Sequence, residues 1–149
     1  MSIENQTRPA GVEAPVFTPA TRRIAGILLL IMVGVEFGGY FLTQVDTGKV
    51  PQTAFQESFE RAGHAHAGVL LILALISLIL TDSVRLTGWF GLVTRLATPA
   101  AAVLISAGFF LSAIGDGRTQ PNPLVVLLWL GVASLTAGLV SLGVALLRR

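Results

Sequence analysis

The chain has 149 residues, of which 53% are hydrophobic and only 12% charged, well below the roughly 25% charged share of soluble domains. A chain this short holds one compact unit. The absence of cysteine excludes disulfides, thiolate metal sites and redox thiols, and a net charge of +2 is too small to mark a nucleic-acid binder.

Residues 1–20, with Pro9, Pro15 and Pro19 and little apolar content, read as a flexible cytoplasmic tail. Residues 21–149 carry the transmembrane domain. A hydrocarbon core of about 30 Å needs roughly 20 apolar residues per helix. Four runs meet that need, predicting helices over about 24–43, 53–81, 96–115 and 123–147. The first is interrupted only by Glu36. Arg22-Arg23 ahead of it has the look of a signal-peptide basic region. However, a long stretch precedes the arginines, Glu36 breaks the run, and no small-x-small cleavage site appears, so the segment is read as a retained anchor.

The second helix is expected to start before the membrane. Pro51-Gln52-Thr53 supplies a stop and a cap, and Thr53 to Gln56 has the capping-box spacing. An amphipathic turn with Phe55, Gln56, Glu57, Phe59 and Glu60 then leads into Gly63-His64-Ala65-His66-Ala67-Gly68, which holds both histidines of the chain. At about 100° per residue, Thr53, Gln56, Glu57, Glu60 and His64 share one face. His66 points roughly opposite, with Phe55, Phe59 and Leu70, so on a regular helix the two imidazoles do not chelate one ion as neighbours. The third and fourth helices offer no polar relay toward the cytoplasm. Asp116, in Gly115-Asp116-Gly117-Arg118, sits in a turn sequence. Trp89, Trp129 and Tyr40 fit interfacial or packing aromatics.

Basic residues set the orientation. Arg8, Arg22, Arg23, Arg85, Arg95, Arg148 and Arg149 fall on one side, against Lys49, Arg61 and Arg118 on the other. Both termini are therefore expected inside. Gly34-x-x-x-Gly38, Gly63-x-x-x-Ala67 and Ser134-x-x-x-Gly138 are spacings that let helix backbones approach in lipid, within the bundle or in a homodimer. Gly39-Tyr40-Phe41-Leu42-Thr43 recurs as Gly108-Phe109-Phe110-Leu111-Ser112, a hint of duplicated hairpins.

Five ionisable residues, Glu36, Glu60, His64, His66 and Asp116, fall in the outward half of these helices. A carboxyl or imidazole inside a bilayer is costly and marks functional sites. The expected site is an outward-facing His/carboxylate cluster that binds a ligand such as a metal ion or haem. His66 and Glu36 would line it, Tyr40 would lie one turn beyond Glu36, and His64, Glu60 and Asp116 would stand at its mouth. Imidazole with carboxylate suits Zn, Cu, Fe or Ni, although the spacing is not that of a diagnostic metal motif.

The segment Phe59 to Gly68 resembles that of small uncharacterised bacterial four-helix membrane proteins, in which Gly-His-Ala-His-Ala-Gly-Val-Leu opens helix 2 and a Pro-Asn pair follows helix 3, as Pro121-Asn122 does here. The resemblance runs over most of residues 24–147 and implies the fold without an activity. Locally, the histidine segment is also similar to the haem-ligating helix of haem–copper oxidase subunit I. The chain lacks the further histidines of such a subunit, so the similarity implies at most a lone haem or copper ligand at His64 or His66.

The expected fold is all-α: a polytopic four-helix transmembrane bundle, N-in and C-in, up-down-up-down. The expected function is non-enzymatic ligand binding in a cell inner (plasma) membrane, with the lipid bilayer as surroundings. One competing reading is an accessory or scaffold subunit of a larger membrane complex with no ligand of its own. The other is a membrane enzyme acting on lipid or quinone, for which the chain shows no nucleophile motif.

Overall fold

The computed structural model describes residues 17–148. It is all-helical in this range: α1 Pro19–Asp46, α2 Ala54–Ser83, α3 Gly88–Ala113 and α4 Val126–Leu147, the last entered through a single 3₁₀ turn, Pro123–Val125. All four helices are long and apolar enough to cross a membrane, which marks a multi-pass membrane protein. Most of the tail proposed for residues 1–20 lies outside the described residues.

Three of the helix entries start on a local capping signal. Thr18 caps α1, accepting from the Thr21 backbone N–H at 3.2 Å, with Pro19 in the first turn where its missing N–H costs nothing. Thr53 and Gln56 form the expected capping box at the start of α2, each side chain answering the other's backbone N–H. Asn122 organises the entry to α4. Its side-chain oxygen caps Leu124 N at 2.8 Å, its amide donates to Leu111 O at 2.8 Å, and its backbone N–H donates to Ser112 O at 2.9 Å. The Pro121-Asn122 pair thus closes the α3–α4 connection.

α3 begins at Gly88, well before the expected residue 96. The reading from apolar runs stopped at Arg95 because a charge breaks a run, but a charge does not break a helix. Arg95 pairs with Asp82 at 2.7 Å, a contact in which both side chains are largely buried, and Asp82 also accepts from the Thr18 backbone N–H at 2.9 Å. One carboxylate therefore ties the start of α1, the end of α2 and the first turns of α3.

The helices pack in chain order, α1 on α2, α2 on α3 and α3 on α4, and among the described residues α1 and α4 do not touch. The bundle is open on that side. The α3–α4 seam is closest because it is built on missing side chains. A Cβ on Gly108 would meet Leu128 backbone at 2.5 Å, one on Gly131 would meet the Ile105 backbone nitrogen at 2.8 Å, and one on Gly138 would strike Thr98 at 2.6 Å. Ser134 adds a hydrogen bond across the seam to Ala97 O at 2.8 Å. Gly63 does the same service for α2 against Phe109 and Phe110 of α3. Two of the three small-residue patterns thus serve packing within the chain, where close approach holds helices together in lipid. The repeated Gly-aromatic words are not equivalent in packing, because Gly108 faces Leu128 whereas Gly39 faces an imidazole.

α1 is the exception to this tight packing. It leans on α2 and barely meets α3. Ile27, Leu29, Leu30, Val33, Phe37 and Tyr40 all stand exposed along it. Trp89 and Trp129, near the starts of α3 and α4, are exposed as interfacial aromatics would be.

Asp82→Ala removes the partner of a largely buried guanidinium and two contacts to Thr18. It should destabilise the fold at the low end of the roughly 3–5 kcal/mol seen for broken buried pairs, read as an earlier transition in detergent unfolding. Loss of the exposed Glu57 partner of Arg61 should leave that transition nearly unmoved.

Candidate functional site: an apolar cleft headed by His64

α1, α2 and α3 enclose a cleft of about 450 Å³, within the size range of small-molecule sites. Its walls are Gly34 and Gly38 on α1, Ala67 and Leu71 on α2, and Ala102, Ser106 and Phe110 on α3. The space exists because the facing positions are small and because α1 stands away from α3. The surface is almost wholly apolar. Ser106 spends its hydroxyl on Ala102 O at 2.9 Å, one turn back on its own helix.

The main polar group is His64. Its imidazole lies against Gly38 and Gly39, where a Cβ would meet Nδ1 and Cε1 at 3.3 Å. Nδ1 is buried and makes no hydrogen bond among the described residues. Ordinarily a buried polar atom has a partner; this one has none among the described residues, and it belongs to a residue that lines the apolar cleft. One turn before it on α2, Glu60 is also buried, and its Oε2 lacks a partner, as does Oε1 of Gln52. Glu60 and His64 share the α2 face expected from helical spacing, and the Glu60 carboxyl also meets the Gln52 side chain from the segment before α2.

The other expected site residues are placed elsewhere. His66 does not line the cleft. It is exposed, its Nδ1 is 2.7 Å from Ala62 O, and its ring packs on Phe109 at 5.0 Å between centroids. The inward position belongs to His64 instead, because α1 packs on the His64 side of α2 while α3 takes the side of Gly63 and His66. Glu36 and Tyr40 are exposed on α1, sharing a shallow depression with Val33 and Phe37 and facing away from the cleft. No hydrogen bond joins Glu36 to Tyr40. Asp116 is exposed in its turn, flanked by Gly115 and Gly117 at positive φ. The five ionisable residues expected to cluster therefore do not converge: Glu60 and His64 share one face, and the rest scatter.

That scatter bears on the metal and haem expectation. Among the described residues no group of three or more His, Cys, Asp or Glu side chains is placed to hold a metal ion. A haem can hang on one proximal histidine, but the cleft wall carries no cationic side chain to meet haem carboxylates. The residues present do not fit either group.

Hydropathy and spacing could not single out the cleft, since its walls are ordinary small and apolar residues. The signal that was present is Gly38-Gly39 opposite a histidine, and it becomes meaningful only once the two helices are in register. No protein-family model, curated protein or solved structure matches the chain.

Gly39→Leu would force a side chain into the imidazole seat and should cost about 1–3 kcal/mol, the usual penalty of overpacking. Gly34→Leu, whose Cβ has nothing within 4 Å, should leave stability close to that of the parent chain. Denaturant titration of both variants in the same detergent checks the contrast.

Proposed function

We propose that this protein is a non-enzymatic binder of a lipid-soluble ligand, held in the α1–α2–α3 cleft and anchored by His64. It resides in the cell inner (plasma) membrane, both termini inside, with its four helices running up-down-up-down. The excess of arginine in the segments before α1, between α2 and α3, and after α4 supports that orientation.

One observation carries the functional reading: a histidine nitrogen, buried and without a partner, stands at the head of a cleft whose walls are otherwise apolar. The walls select an apolar body that enters from the bilayer. The imidazole, which in its neutral form offers one N–H donor and one nitrogen acceptor, selects a carbonyl or hydroxyl on that body. The ligand class is therefore a long-chain amphiphile with a small uncharged polar head. In the cleft wall the Ser106 hydroxyl is spent on its own helix, and Glu60, one turn from His64, lies outside the lining, so binding rather than turnover is the reading we favour.

The test uses a photoactivatable long-chain ketone and the matching alkane as probes on the protein in lipid nanodiscs. The ketone should label peptides of α1 and α2 that line the cleft. His64→Phe, which keeps a ring against Gly38 and Gly39 but removes the hydrogen-bonding nitrogens, should reduce that labelling about tenfold, the worth of one hydrogen bond in a water-poor site, and should leave the alkane unaffected. Ala67→Phe, which fills the cleft, should abolish labelling by both. Equal ketone labelling of the parent chain and the His64 variant would overturn the anchor role.

A further inference from the structure

Near the start of α1, along its contact with α2, lies a second apolar groove of about 320 Å³ that shares no lining residue with the His64 cleft. Gly26 and Leu29 of α1 and Leu75, Leu78 and Ile79 of α2 line it, and Arg22 is its cationic residue. At 1.5 Å per residue, Arg22 stands about 24 Å along α1 from Gly38, the glycine beside the His64 ring. α1 leaves room in this groove, since a Cβ on Gly26 would have nothing within 4 Å. The groove is open at its rim, where Leu29 and Ile79 are both about half exposed.

The charge at this end of the molecule is one-sided. Here the start of α1, the end of α2 and the first turns of α3 are tied together, and the end of α4 packs beside them through Val84, Leu142 and Ala145. These segments carry Arg22, Arg23, Arg85, Arg95 and Arg148, with Asp82 as the one carboxylate among the described residues there. Asp82 is spent on Arg95 and on the Thr18 backbone. Arg22 is exposed and makes no ion pair among the described residues. It also stands at the edge of the apolar run that begins at Ile24, which is the depth of the bilayer headgroups. A guanidinium in that place offers a planar fork of donors that matches a phosphate.

We propose that this groove is a site for one anionic phospholipid, with its phosphate on Arg22 and one acyl chain laid between α1 and α2. Charge selects the head. An unpaired cation in a field of arginines favours an anionic lipid over a zwitterionic one, as basic pockets between membrane helices do. The walls select the tail. Leu29, Leu75, Leu78 and Ile79 have no polar group to answer the backbone of a peptide, whereas an acyl chain has none to satisfy.

The experiment titrates the full chain, purified in a neutral detergent, with phosphatidylglycerol or phosphatidylcholine of identical acyl chains. Native mass spectrometry counts the bound lipid. One phosphatidylglycerol should bind about fivefold more tightly than phosphatidylcholine, the worth of one arginine at an anionic lipid surface. Arg22→Gln should remove that preference. Arg23→Gln, which removes the same charge at a neighbour that does not line the groove, should keep it. Gly26→Leu, whose side chain enters the open groove, should weaken binding of both lipids and leave the unfolding transition in place. Four results would each overturn the proposal: no preference in the parent chain, equal loss in the two arginine variants, binding unaltered by Gly26→Leu, or displacement of phosphatidylglycerol by inorganic phosphate but not by sodium chloride of the same ionic strength.

Discussion

The imidazole of His64 fills the gap left by two adjacent glycines, Gly38 and Gly39, and that contact fixes the C-terminal half of α1 against α2. A side chain at either glycine would compete with the ring for the same space. α1 meets α2 through this ring and meets α3 little, and the cleft lies between the three helices beside it. The ring is thus both the α1–α2 contact and the main polar group in the cleft lining.

The rest of the chain makes such a loosely held helix affordable. α2, α3 and α4 form a tight platform through Gly63, Gly108, Gly131 and Gly138, where backbone meets backbone or ring without an intervening side chain. α1 is then moored at its two ends by polar contacts, Thr18 to Asp82 on one side and Asp46 to Arg61 on the other. Between the moorings it contributes Leu28 to the buried core and otherwise leaves much of its surface free.

Much of this was legible in the chain itself. Four apolar runs of spanning length, the Thr53–Gln56 capping box and the small-residue pairs at Gly63 and Gly138 all have direct counterparts in the structure. These depend on local rules, namely hydrophobic length, cap chemistry and the absence of a Cβ. Helix rotation was not legible. Spacing put His64 and His66 on different faces, but which face looks inward depends on where α1 and α3 dock, and neighbours decide that. His66, taken as the inward residue, turned out to be exposed, while Glu36, expected beside it, lies on a flank turned from the cleft. The start of α3 was misplaced for a related reason. Arg95 ends a hydropathic run, yet its charge is matched by Asp82, a partner thirteen residues away that only the tertiary fold brings near.

The most direct measurement is the imidazole NMR spectrum of the nitrogen-labelled protein in lipid nanodiscs, recorded while a long-chain ketone is titrated in. The chain has two histidines, so its imidazole signals are assignable with one variant. The expected result is a saturable shift of the His64 nitrogens, as Nδ1 or Nε2 gains a partner, with His66 held still. A His64 signal that does not move, or two histidines that move together in proportion to the lipid load, would contradict the assignment of the cleft as a binding site.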